Sequence, residues 1–350
     1  MSSKQTPYPI TLQISLTPWD LPHACLVLPH QLQFWSAHCA ESLLLWDLDP
    51  GPKIQTEQGQ RQWKQCLELL PAFQAALQTD WPELMQKSVD LRGPEAASTL
   101  EALGLRYFVN PDVQSVLPVQ SVQPAQPTLV PPMPRKDFRG GPFAAYFLGL
   151  ECASHDLVLH LDGDMLFGGT APAWIAAALN LLARHADCLC VAPPGGPPAH
   201  MTAHMTAHVI ARLGIEFQQK QAQFTSRCFL IRRSALVQAL PYVLRLPAQL
   251  GDPGWNPPYA ELVEVILTRF MQSQGRYRLD YSPASEPIWS LHPPTQFDQR
   301  YLALLPALLK QMQNQNWPAA QTGEYDLLPS SLDWLSIQSN QSRQSSEPMP

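Results

Sequence analysis

Residues 155–167 read HDLVLHLDGDMLF, an apolar run that closes on two aspartates separated by one glycine. A short apolar run bounded by turn residues is the signature of a buried strand, and this one ends by placing two carboxylates at its mouth. The segments around it alternate: Gly141–Ala153 reads as a helix, His155–Leu161 as the strand, Pro172–His185 as a helix and Cys188–Ala192 as a strand. Helices of this length between strands suit crossovers to a mostly parallel sheet, so the chain is expected to be an α/β protein with helices flanking a central sheet.

The same alternation opens the chain. Ile10–Leu16 (ITLQISL) reads as a strand, Leu21–Trp35 as a helix that Pro29 should kink or divide, and Ser42–Leu48 (SLLLWDL) as a second strand. Gln58–Val89 carries apolar residues at helical spacing, with Pro71 and Pro82 breaking it into pieces, and Leu105–Asn110 (LRYFVN) reads as another short strand. Residues 117–134 are rich in proline and glutamine and are expected to form an exposed extended loop. Later elements are a strand at Ser226–Arg232, a short helix from Ser234, a helix over Pro258–Ser273 and a strand over Tyr277–Tyr281. Beyond about residue 318 the chain turns polar, and disorder is expected over 319–350.

With 350 residues, 45% apolar and 15% charged, the chain can bury a substantial core. A net charge of −6 offers no broad positive field for nucleic acid or an acidic membrane, so recognition is expected at a local site, and peripheral attachment to a membrane stays open. Seven scattered cysteines without a C-x-x-C pair argue against a disulfide framework or a zinc site. The stretch MSSKQTPYPITLQ lacks a basic segment followed by an apolar one, and no run of about 18 apolar residues occurs, so a cytoplasmic protein is expected.

Ligands of a parallel sheet bind outside the carboxyl ends of its strands, which is where Asp162 and Asp164 fall. Residues i and i+2 of an extended segment face one side, so both carboxylates can meet one ion, and Gly163 lets the backbone bend and a phosphate approach. Hard carboxylate oxygens with no cysteine nearby favour Mg2+ or Mn2+ that completes its shell with water and a diphosphate. The competing reading is a solvated strand-to-turn junction whose aspartates cap backbone amides. A second D-x-D lies at Asp47 and Asp49, in LLLWDLDPG.

The strand–helix–strand opening, followed by GGPFAAYFLGLECASHD running into DLVLHLDGDMLFGG, resembles the nucleotide-diphospho-sugar glycosyltransferases of the GT-A fold, most closely family 2, over about residues 10–295. The resemblance implies a single GT-A-like, Rossmann-like domain over 1–318, with a donor-binding half at about 10–170 and an acceptor half at about 171–318. It implies a nucleotide-diphospho-sugar donor, a saccharide, lipid or protein acceptor, inversion at the sugar, and Mn2+ or Mg2+ at Asp162 and Asp164, with Asp162 also near the donor. It further implies that Asp47, with Asp49 as alternate, holds the base or ribose, and that the backbone of Thr17 and Pro18 lines the nucleotide pocket. His292, in EPIWSLHP, resembles a late histidine that serves as a further metal ligand. Where the family often has G-x-x-x-A-R-N-x-G, this chain has AAYFLG, with Tyr146 and Phe147 in place of arginine and asparagine.

Inverting transfer needs a carboxylate to take the acceptor proton. The stretch GDPGWNPPYAELVEVILTRF offers Glu261, with Glu264 one turn on and Asp252 before it, although acidic residues in a first helical turn are also ordinary dipole partners. Trp255 and Tyr259 are candidates to stack on an acceptor sugar. Arg139, with Arg135 and Lys136, precedes the helix that feeds the metal strand and could approach the diphosphate; Arg227, Arg232 and Arg233 are similar candidates. The repeat AHMTAHMTAH spaces His200, His204 and His208 like a metal ladder, but it reads more plainly as a short duplication covering the site's mouth. Two other readings stay open: a nucleotidyltransferase, for which SLTPWDLPHAC lacks the glycine-rich basic loop, and a non-catalytic binding module of the same fold.

Overall fold

The computed structural model describes residues 7–50, 54, 56–108, 133–197, 217–241, 244–245, 259–284, 286–294 and 298–344. Its chain opens with strand β1 (Tyr8–Leu16), helix α1 (Leu21–Trp35), strand β2 (Cys39–Asp47), helix α2 (Glu57–Asp80), strand β3 (Leu84–Val89), helices α3 (Ala96–Tyr107) and α4 (Ala144–Cys152) and strand β4 (Leu157–Asp162). There follow β5 (Leu166–Gly169), α5 (Pro172–Arg184), β6 (Cys188–Ala192), β7 (Phe217–Gln221), β8 (Cys228–Arg232), the two-residue strands β9 (Leu244–Arg245) and β10 (Tyr259–Ala260), α6 (Val263–Ser273), β11 (Tyr277–Ser282) and β12 (Ile288–Leu291). Helices α7 (Gln299–Gln313) and α8 (Pro329–Gln344) close the described chain.

Eight strands form one sheet in the order β3-β2-β1-β4-β8-β6-β11-β7. β1, β2, β3 and β4 run parallel, as do β6 and β11, whereas β8 runs antiparallel between β4 and β6, and β7 antiparallel on the edge. The chain therefore builds outward from β1 to β3 and then returns to lay β4 on the other side of β1. That reversal makes the carboxyl ends of β1 and β4 a topological switch point, the crevice where open α/β sheets take ligands. Because β8 is antiparallel to β4, its first residues, Ser226 and Arg227 just before it, reach this same edge; the Asp162 amide donates to the Arg227 carbonyl at 2.8 Å.

Period-2 patterning divides β1 between the two faces of the sheet. Ile10, Leu12, Ile14 and Leu16 pack with residues of α1, α2 and α5, while the other face of the sheet packs with α3, α4 and α6. A third core lies under the two-stranded sheet of β5 and β12, where Leu166, Trp289 and Leu291 meet Tyr301, Leu305 and Leu308 of α7 and Leu332 and Leu335 of α8. No helix among the described residues is long and apolar enough to cross a membrane.

Several local expectations are corrected. Leu105–Tyr107 finishes α3 instead of forming a strand, because Leu103 and Tyr107 recur at helical spacing on its buried side. The third strand is instead LMQKSV at 84–89, inside the stretch expected to be helical; its side chains are largely exposed because it lies on the sheet edge and borders only β2. Pro29 and Pro71 sit inside α1 and α2 without ending them. The segment after 318 is ordered as far as α8: polar on average, it still places Leu327, Leu332 and Leu335 in the third core. The AHMT repeat, Asp252, Trp255 and residues 117–132 lie outside the described residues, as does the end of the tail.

Candidate functional site

The carboxyl end of β4 turns sharply instead of running on as an extended pair. The Met165 amide donates to the Asp162 carbonyl at 3.1 Å, closing a turn over Gly163 and Asp164, and Gln31 of α1 donates its Nε2 to the carbonyls of both Asp162 and Met165, at 3.2 and 2.7 Å. The Gly163 amide donates to the Ser15 carbonyl at 2.8 Å, so the turn is tied to the end of β1. A side chain at 163 has no room, since its Cβ would stand 1.9 Å from Cδ2 of Leu16. The turn separates the two carboxylates in direction: Asp162 Oδ1 lies 3.4 Å from Nε2 of buried His160, and Asp164 Oδ2 lies 3.9 Å from Nε2 of His292.

Asp164 is held at a cost. Its Oδ1 is sealed from solvent without a hydrogen-bond partner among the described residues, although the side chain as a whole keeps 26% of its surface. Burial, together with the negative charges of Asp162 and Asp20, pushes its carboxyl up to about 7. Asp20 is itself fixed by the entry to α1, where the Thr17 amide and hydroxyl both donate to its Oδ2 at 2.9 and 2.8 Å. Thr17 and the buried Pro18 thus shape the turn after β1, beside the carboxylates.

Facing these acids is Arg227, whose guanidinium lies over the Tyr325 ring at 5.9 Å and feels the charges of Asp162, Asp164 and Glu264. The other neighbours are aromatic and imidazole groups. Tyr325 stacks on His292, with ring centroids 5.8 Å apart, and Asp326 lies 2.8 Å from His292 Nδ1. Burial and the positive charge of Arg227 lower the His292 pKa. Behind them His23 is fully buried, 2.8 Å from the Tyr301 hydroxyl and stacked on its ring.

Burial holds His23 down at about 3, so the folded chain refuses a proton that the unfolded chain accepts below about 6.5. Its contribution to stability is therefore complete above pH 6.5 and is lost as pH falls toward 3, by about 1.4 kcal/mol per pH unit well inside that window. His23→Gln is expected to flatten the acid limb: between pH 7 and pH 5 the wild type should lose about 2 kcal/mol more than the variant in urea titrations. Parallel losses would remove His23 from the account.

A second group of charges stands at the end of β2. Asp47 is buried and fully engaged, taking the Lys136 ammonium at 2.7 Å on Oδ2 and the Asp49 amide at 3.0 Å on Oδ1. Asp49 is buried as well, yet its Oδ2 has only Arg135 at 3.4 Å and no hydrogen bond; burial raises its pKa. Asp47 and Asp162 flank β1, with Asp47 two residues further along the register, so strand spacing and rise put them roughly 12 Å apart. Arg139 is exposed on the 135–142 turn and lies over its own neighbour Phe138, at 5.4 Å. That turn is joined to Ala260 by the Phe138 amide, which sets Arg139 beside the Glu261 segment and gives it no contact with the β4 carboxylates.

Glu261 is buried just before α6, with Oε1 accepting from the Leu262 amide at 3.1 Å. Glu264, one turn on, accepts from the Ser226 hydroxyl at 2.8 Å, next to Arg227. The Tyr146 ring packs 4.6 Å from the His160 ring beneath Asp162, and its buried hydroxyl has no hydrogen-bond partner among the described residues. Removing a buried, unsatisfied hydroxyl costs nothing. Tyr146→Phe is expected to keep or raise stability by up to about 1 kcal/mol in chemical denaturation, and a clear loss would reveal a bound water.

Of the proposed metal set, then, Asp164 and His292 are brought face to face and Asp162 stands one turn away. Among the described residues no three such side chains form a ready-made metal cluster. The donors nonetheless suit a hard cation: Asp164 carries an unsatisfied oxygen, and a 3.9 Å gap falls between the cis and trans ligand spans of about 3 and 4.2 Å that follow from metal–ligand bonds near 2.1 Å. Sequence reasoning did not single out His23, Tyr301, Tyr325 or Asp326, which come from helices and a late turn with no motif of their own. No model of a known protein family matches the chain, and no curated protein matches it.

Proposed function

We propose that the chain is a metal-dependent glycosyltransferase of the GT-A type, moving a sugar from a nucleoside-diphosphate donor to an acceptor hydroxyl; inversion rests on the family 2 resemblance alone. The observation that carries this reading is the Asp162–Gly163–Asp164 turn at the switch point between β1 and β4, with a sealed carboxylate oxygen that no group among the described residues satisfies. Asp47 is consumed by Lys136, so Asp49, with an oxygen free of hydrogen bonds, is the better candidate for a ribose or base contact.

A Mg2+ or Mn2+ held by Asp164 and His292, with Asp162 close by on the same turn, would neutralise charge on the departing diphosphate. Arg227 supplies a fixed cation on the same side. As the acceptor oxygen bonds to the anomeric carbon and the carbon–phosphate oxygen bond breaks, the acceptor proton passes to a carboxylate. Glu264 suits that role better than Glu261, because its charge reaches Arg227 and Tyr146, which also feel Asp162, while Glu261 turns its Oε1 onto the Leu262 amide.

Thermal shifts with uridine, guanosine, cytidine and thymidine diphosphates, each with and without Mn2+, test the reading. One base with metal is expected to raise Tm by roughly 3–8 °C at saturating ligand, with neither component sufficient alone. Absence of any metal-dependent shift would sink the donor site and favour the non-catalytic module.

A further inference from the structure

His292 is held, backbone and ring, by residues that follow the central sheet. Its amide donates to the Tyr325 carbonyl at 2.9 Å and its carbonyl accepts from the Leu327 amide at 2.8 Å, so residues 325–327 lie beside it in strand-like register. Tyr325 covers one face of the ring, nearly parallel at 12°. Asp326 meets Nδ1 at 2.8 Å, and Nε2 is left pointing at Asp164.

The segment that delivers Asp326 is itself built to stay in place. The buried Gln321 side chain donates to the carbonyls of Glu324 and Asp326, each at 3.0 Å, and accepts from the Leu328 amide at 3.0 Å and the Ser331 hydroxyl at 2.8 Å. The turn at 194–197 is shaped to seat it: at Gly195 a Cβ would stand 2.7 Å from the Tyr325 ring, at Gly196 2.3 Å from the Glu324 carbonyl oxygen, and the Gly323 amide donates to the Pro197 carbonyl at 2.8 Å. A neutral imidazole has one N–H and one lone pair, and a carboxylate can only accept. A carboxylate at Nδ1 therefore puts the proton on Nδ1 and the lone pair on Nε2, the arrangement that makes a histidine a ligand.

We infer that Asp326 is a positioning residue that fixes the His292 tautomer and aims Nε2 at the Asp164 site, so that the C-terminal segment completes a divalent-cation site whose carboxylates come from the end of β4 and the turn after it. The inference rests on the metal reading of Asp162 and Asp164 proposed above. It adds a residue that the D-x-D pattern does not contain, and it gives residues 321–328 a part in binding. Asp326 is 75% exposed, so replacing it should leave the fold unchanged and isolate its effect on His292.

The experiment is Mn2+ binding to the full chain, followed by the loss of the free-ion electron paramagnetic resonance signal, for wild type, Asp326→Ala, Asp326→Asn and His292→Ala. It is paired with nitrogen chemical shifts of the His292 ring recorded without metal. Asp326→Ala is expected to weaken Mn2+ about 10- to 100-fold, approaching His292→Ala, and to give a mixture of ring tautomers. Asp326→Asn keeps an acceptor for Nδ1–H and should restore both affinity and tautomer. Wild type that binds no Mn2+ overturns the metal site and the inference together. Wild type that binds while Asp326→Ala binds equally well, or Asp326→Asn as weak as Asp326→Ala, overturns the positioning role and leaves the site standing.

Discussion

Asp164→Asn should make the ligand-free protein more stable at pH 8 and at the same time abolish its stabilisation by metal and nucleoside diphosphate. The carboxyl is raised to about 7 by burial and by the charges of Asp162 and Asp20, against an ordinary carboxylate value near 4 in the unfolded chain. Between those two values the folded chain holds a proton that the unfolded chain has released, so stability falls as pH rises through that window and is lowest above 7. Asparagine removes the charge at every pH. The variant should therefore gain on the order of 2 kcal/mol over wild type at pH 8, with the advantage shrinking toward pH 4. With Mn2+ and the matching diphosphate the order reverses, because only the carboxylate repays the ion. Melting temperatures at pH 8 and pH 5, with and without ligand, read all four states. A variant less stable than wild type at pH 8 without ligand would mean that the carboxylate holds the turn together, and that the site is structural.

The place of that costly carboxylate in the fold is legible in the amino-acid sequence. The apolar run ending in DGD marks the end of β4, and the β–α–β opening marks the pairing of β1 with β2, since each rests on patterns that local chain stiffness and burial impose. The edge strand β3 is hidden because LMQKSV lies at a margin where burial does not enforce alternation. Residues 105–108 mislead because Leu105, Tyr107 and Phe108, broken only by Arg106, fit a strand or the buried side of a helix equally well. The last helix is hidden by averaging: three leucines suffice to dock its segment, and a polar mean conceals them.

The site is legible to the extent that it is local. Asp162 and Asp164 announce themselves through spacing, and His292 through its place after the last core strand. Its partners do not, because His292 meets Asp326, 34 residues further on, and Arg227 meets Tyr325, 98 residues further on, and no spacing rule connects them. Nor can spacing reveal that Asp47 spends both oxygens on Lys136 and the Asp49 amide, or that Glu261 accepts from the neighbouring Leu262 amide while Glu264 accepts from Ser226 beside Arg227.

How firmly the late histidine is held depends on the packing of β5 against β12, and Gly169→Ala should be the most destabilising single methyl in the site. Gly169 pairs with Ile288 and has a φ of +89°, a conformation that side chains rarely adopt. An added Cβ would stand 1.8 Å from the Pro287 carbonyl oxygen, 2.7 Å from its carbon and 2.9 Å from the Ile288 Cα. All three are backbone atoms, so relief requires β12 to move, and β12 runs directly into His292. Strain and overlap together are expected to cost about 3–5 kcal/mol and to lower Tm by roughly 5–10 °C. Gly275→Ala supplies the control: its φ of +63° carries similar strain, but nothing lies within 4 Å of the added carbon, so it should cost only about 1 kcal/mol. Only Gly169→Ala should also lose the metal-dependent rise in Tm, because only that change displaces the histidine. Equal losses for the two variants would show that β5 and β12 can part without strain, and that the imidazole is not held by the strand that carries it.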